Sequence, residues 1–116
     1  MENFDKTLTE KDVVQSPADC VLDAVILQIQ RAKLEYFIPK EVHDKFENLD
    51  QETLLITFET KYNDKVFKGT DRLAYYEEPM SNSLLGKFLT KYKTLQVGKQ
   101  IKVAYNSKGH SKISVE

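Results

Sequence analysis

Hydrophobic and polar positions along the chain fall into one helical stripe and several alternating runs. Between Ser83 and Tyr92 the apolar residues Leu84, Leu85, Phe88, Leu89 and Tyr92 recur at i, i+1, i+4, i+5 and i+8. That spacing lines one face of a short amphipathic helix. Ser81 or Ser83 supplies its N-cap, and Glu77 and Glu78 just upstream suit its positive end. Gln100 to Tyr105 alternates as a strand, Asn106-Ser107-Lys108-Gly109 is a turn, and Lys112 to Val115 begins the return strand.

Upstream, Leu54, Ile56, Phe58 and Tyr62 alternate with Thr57, Glu59 and Lys61, and Asn63-Asp64 forms a two-residue hairpin turn. Pairing Tyr62 with Lys65 sets Thr60 opposite Phe67, Glu59 opposite Lys68, Thr57 opposite Thr70 and Leu54 opposite Leu73. Opposite charges and paired threonines on one face support this register, and a one-residue slip destroys them. Gly69 suggests a bulge or bend in the second strand. Asp71 points toward the core in this register, so the bulge re-aims it or the strand end is solvated.

The longest apolar stretch lies within residues 18–38. Val25, Leu27 and Ile29 alternate with Ile26, Gln28 and Gln30. Leu22, Ile26 and Ile29 also fit helical spacing, but the β-branched content favours a strand. Leu34 to Ile38 continues it after a bend or pairs as an edge, and Pro39 ends it. Residues 40–52 are a polar connection with a turn of helix through Val42, Phe46 and Leu49. Residues 1–17 read as an acidic, flexible tail, with a capping-box pattern at Thr7 and Glu10. One functional form of that tail is an acidic arm docked on a basic face; the other is an unstructured terminus.

A long strand, a hairpin, a helix and a second hairpin follow one another over residues 18–115. This order resembles the OB-fold, a five-stranded, partly open barrel plugged by a helix between its third and fourth strands. The segment Leu84-Gly86-Lys87-Phe88-Leu89, with Leu95-Val97-Gly98 and Ile101-Val103, also looks like small uncharacterised proteins of archaea and phages. The expected fold is therefore mainly β with one helix, an OB-like barrel over residues 18–116. A curved antiparallel sheet packed on one helix is the alternative.

Length and composition narrow the function classes. The 116 residues suit one domain, and 41% hydrophobic with 30% charged residues is ordinary for a soluble protein. No apolar run approaches the roughly 20 residues of a membrane helix. The single cysteine, Cys20, makes no internal disulfide, which favours a reducing, cytoplasmic setting. Net charge is −1, but residues 79–116 hold seven lysines against one glutamate, +6, leaving −7 for residues 1–78. Such asymmetry marks a nucleic-acid or acidic-partner surface, or else lysines that solvate a helix and a hairpin.

No catalytic motif is present. The glycines lack phosphate-loop or dinucleotide spacing, and no serine stands in a G-x-S-x-G context. Cys20 reads as a small buried residue. His43 beside Asp44 has no second histidine or cysteine at ligand spacing and reads as a solvated loop histidine. No enzyme activity, metal or other cofactor is expected.

Single-strand binding needs cations for phosphates and flat side chains for bases. The first hairpin offers Lys61, Lys68 and Arg72, with Tyr75 and Tyr76 at its end. The second offers Lys102, Tyr105, Lys108, His110 and Lys112. Tyr75 and Tyr105 also continue apolar alternations, so core packing claims at least one of them, while Tyr76 and His110 are the exposed rings. The expected function is a non-enzymatic module for single-stranded DNA or RNA. Its site is Lys61, Lys68, Arg72, Tyr76, Lys102, Tyr105, Lys108, His110 and Lys112. The alternative is an interaction or inhibitor module that binds an acidic protein or self-associates through a strand edge. No membrane partner is expected, and the chain is a monomer or weak homodimer. The lack of tryptophan and a pI of about 6.1 weigh against a strong general single-strand binder.

Overall fold

The computed structural model describes residues 17–116; the capping box at Thr7 and Glu10 and all of the expected acidic tail except Pro17, which is buried, lie outside the described residues. The elements are β1 (Cys20–Lys33), β2 (Glu52–Tyr62), β3 (Lys65–Ala74), α1 (Leu84–Tyr92), β4 (Gln100–Tyr105) and β5 (Ser111–Ile113). All ladders are antiparallel and the strand order is β3-β2-β1-β4-β5. The two outer strands curl round to meet, giving a nearly closed, OB-fold-like barrel with one helix.

The β-branched run after Cys20 builds β1, which is long enough to serve two partners. Cys20 to Val25 pairs with β4, and Ala24 onward pairs with β2. The β1–β2 register shifts between Ile26 and Gln28. Leu27 is the extra residue and is 37% exposed, while Ile26 is fully buried and Ile29 packs against the core. A bulge of this kind bends a strand. It also explains why Ile26 and Ile29 are spaced as on a helix: three residues separate two positions on one face only because one residue is skipped.

β2 and β3 pair in the register read from the sequence, including Glu59 opposite Lys68 and Thr57 opposite Thr70. Asn63 and Asp64 both take positive φ, as a tight hairpin turn of matching twist requires. Gly69 does not form a bulge. It stands opposite the fully buried Phe58, where a Cβ would come within 2.8 Å of the Phe58 ring and 3.0 Å of the Ser111 hydroxyl. The glycine leaves room for both.

Asp71 is not re-aimed by any bulge and does not end in open solvent. It stays at an inner register position, half-buried, opposite Ile56. Its Oδ2 accepts the Ile113 backbone N–H at 2.9 Å, and its Oδ1 accepts the Arg72 N–H at 2.8 Å. With Ser111 against Gly69 and Ile113 against Asp71, β5 runs parallel to β3 along the closing seam.

α1 plugs the barrel through Leu85, Phe88 and Tyr92, which join Ile26, Phe58, Leu73, Ile101, Val103 and Ile113 in one core. Ser83 caps it, accepting the Gly86 N–H at 3.0 Å. Gly86 is buried against the preceding turn, where a Cβ would lie 2.0 Å from the Met80 carbonyl oxygen. The Tyr92 hydroxyl donates to the Ser114 carbonyl at 2.6 Å and accepts the Lys102 N–H at 3.1 Å. One phenol thus ties the plug to β4 and to the chain just after β5.

Leu34 to Ile38 neither continues β1 nor pairs as an edge. Leu34–Phe37 and Lys40–Lys45 are two 3-10 turns, and Ile38 between them is buried. His43 is half-buried rather than solvated, and its Nε2 donates to the Ile38 carbonyl at 2.8 Å. Backbone bonds from Leu34 to Gln51 and from Glu35 to Leu49 close the base of this connection.

Two substitutions test this packing. Asp71→Ala leaves the Ile113 N–H without its acceptor and is expected to lower unfolding free energy in urea by roughly 1–3 kcal/mol. Gly86→Ala drives a methyl group into a backbone carbonyl that cannot retreat without displacing the cap. It is expected to cost about 1–3 kcal/mol or more, read as a lower urea midpoint at unchanged slope.

Candidate functional site

Closure of the seam decides which basic residues meet. Ser111 and Ile113 lie level with Gly69 and Asp71 on the inner side, so the alternation of side chains puts His110 and Lys112 outside, level with Lys68 and Thr70. Lys68 and Arg72 of β3, His110 just before β5 and Lys112 of β5 are all exposed. Residues far apart in sequence thus share one outer face. Lys108 and His110 belong to the turn before β5, which Asn106 fixes by accepting both of their N–H groups, at 2.9 and 3.0 Å.

Beside this face the β1–β2 connection folds over β2 and β3. A groove of about 440 Å³ lies between it and the seam, lined by Phe37, Ile38, Val42 and Phe46 on one wall and Leu55, Thr70, Asp71, Arg72 and Ser111 on the other. A second concavity, of about 330 Å³, shares Phe46 and Arg72 and adds Tyr76, Asn48 and Gln51. The Arg72 guanidinium lies 5.9 Å from the centre of the Phe46 ring, so the pair forms a ridge between the two hollows. Phe46 is 37% and Tyr76 44% exposed. Flat rings beside a cationic ridge can stack planar groups while the cations hold an anionic chain.

Three of the expected site residues fall elsewhere. Lys61 is exposed, but it lines a shallow hollow on the β1 side of β2 together with Asp23 and Glu59. Lys102 lies on the outer face of β4 and pairs with Asp23 at 2.9 Å. The hydrogen bond and charge of Asp23 hold its ammonium above the ordinary lysine range, and they offset the charge a phosphate would seek. Tyr105 is only 8% exposed and belongs to the core, so its ring is not on offer for stacking. Burial raises its hydroxyl above the ordinary tyrosine range.

Phe46 was legible in the sequence only as an apolar residue of a helical turn, and its place in the groove depends on how the β1–β2 connection folds back. Asp71 carried a signal, since an acid on the inner face of a strand needs partners there. Among the described residues, no group of three or more His, Cys, Asp or Glu side chains converges as a metal site requires. No helix of the described residues is long and apolar enough to cross a membrane. No family model, curated protein or solved structure matches the chain.

The raised Tyr105 hydroxyl has a consequence for pH. Its folded pKa exceeds the unfolded value of about 10, so its contribution to stability is complete below that value and is lost as pH rises through the folded pKa. Between about pH 8 and about pH 11, the wild type is expected to lose more unfolding free energy than Tyr105→Phe. Equal losses measured in urea melts would contradict the burial-driven shift.

Proposed function

We propose that the barrel is a non-enzymatic module that binds single-stranded nucleic acid across the β3–β5 seam. The observation that carries the reading is the convergence of Lys68, Arg72, His110 and Lys112 from two hairpins on one outer face, beside a groove walled by Phe37 and Phe46. OB-folds use the face of their second and third strands and the loops beside it for such ligands. Here that face carries the ridge of Arg72 and Phe46. Phosphates follow the cations, and bases stack on Phe46 and on Tyr76. Lys61, Lys102 and Tyr105 have no part in this face. The free Cys20 fits a reducing compartment such as the cytoplasm.

A protein partner is the second reading, favoured by the exposed Val21 and Val66 at 57% and 53%. Strand-edge self-association draws less support, because β3 and β5, the edges of the sheet, face one another across the seam.

Fluorescence anisotropy of a labelled single strand of about 12 nucleotides, as DNA and as RNA, tests the proposal. Three to four phosphate contacts give a log–log salt slope of about −2 to −3. Arg72→Glu with Lys112→Glu is expected to weaken binding more than ten-fold (~1.4 kcal/mol per decade), and Lys61→Glu far less. No binding at low salt, or equal loss for both variants, would overturn the reading.

A further inference from the structure

Resting on the nucleic-acid reading, we infer that the groove between the β1–β2 connection and the seam is a guanine-selective subsite. The groove has two kinds of wall. Phe37, Val42 and Phe46 give an apolar, partly aromatic side that suits the face of a base. Opposite them lie Thr70, Asp71 and Ser111, which can address a base edge. Asp71 is the unusual member, a carboxylate in a site whose rim is cationic.

That carboxylate is half-buried and lines the groove while also holding the seam. Each oxygen accepts one backbone N–H, from Arg72 and from Ile113. A carboxylate has about four lone-pair positions, so one remains on each oxygen. Two further donors, side by side, complete it.

The bases differ in what they present to such a group. Guanine alone has two adjacent donors on its pairing edge, N1–H and the 2-amino group. Adenine and cytosine each pair one amino donor with a ring-nitrogen acceptor, which a carboxylate repels. Thymine and uracil offer a single N–H between two carbonyls. The guanine O6 beyond N1 is an acceptor and suits the hydroxyl of Thr70 or Ser111, each of which can donate. Arg72 and Lys112 at the rim take the flanking phosphates.

The test compares oligothymidylate of about 12 nucleotides with the same strand carrying one central guanine, inosine or adenine. Inosine keeps N1–H and lacks the 2-amino group. A bidentate contact is expected to tighten the guanine strand about ten-fold over oligothymidylate, with inosine between the two and adenine no better than thymine. Asp71→Asn is expected to erase the guanine advantage, so that within this variant the guanine strand binds no more tightly than oligothymidylate, whatever the variant's overall affinity. Should that variant unfold, the inosine comparison on the wild type still decides the matter. Salt-dependent binding of all four strands with equal affinity overturns the guanine subsite and leaves the nucleic-acid reading standing. Binding of none overturns both.

Discussion

The Asp71 carboxylate joins the two strands that close the barrel, and the rest of the arrangement depends on that junction. β5 is three residues long, with only the short ladder to β4 to hold it. A strand so short is weakly specified by ladder pairing alone. Asp71 adds a charge-assisted hydrogen bond from β3 to the Ile113 N–H, of the stronger kind. From the other side, the Tyr92 hydroxyl binds Ser114 immediately beyond β5. Gly69 matters for the same reason, since any side chain there would push Phe58 and Ser111 apart. A missing Cβ, one carboxylate and one phenol replace the longer strand that the chain lacks.

The proposed function rests on where this junction puts charge. The chain has nearly equal numbers of acidic and basic residues, 18 and 17, so no strong overall field drives it toward an anion. What matters is local sorting. On the β1 side, Asp23 pairs with Lys102, and Lys61 lines a hollow that also holds Asp23 and Glu59. At the seam, Lys68, Arg72, His110 and Lys112 share a face, with Glu59 opposite Lys68 as the nearby cross-strand acid. The cationic face exists only when β5 lies against β3, so the closure that stabilises the fold also assembles the site.

Much of the fold is legible in the sequence because it is written in local patterns. The β2–β3 register could be read from Glu59 and Lys68 and from Thr57 and Thr70, since a slip would undo both pairs. The cap at Ser83 and the stripe of α1 are likewise local. What escapes is non-local. The step from Ile26 to Ile29 looks helical until a bulge explains it. Leu34 to Ile38 has strand-like composition, but the chain must turn there to cover β2 and β3, so it becomes a 3-10 turn. Tyr76 reads as an exposed ring and is one, whereas Tyr105, on an apolar alternation yet counted in the site, is withdrawn from it only by the closed barrel. Charge content pointed to the basic hairpins, but not to which lysines Asp23 would occupy or to Phe46 as the ring that would meet Arg72.

The most direct test of a barrel closed by Asp71 is a nuclear Overhauser spectrum of the isotope-labelled protein in solution. Cross-peaks between the Ile113 amide proton and the Asp71 β protons, and between the Gly69 α protons and Ser111, are the expected result. Spectra in which Ser111 to Ile113 shows contacts to β4 alone would leave the seam open, and the shared basic face would not exist.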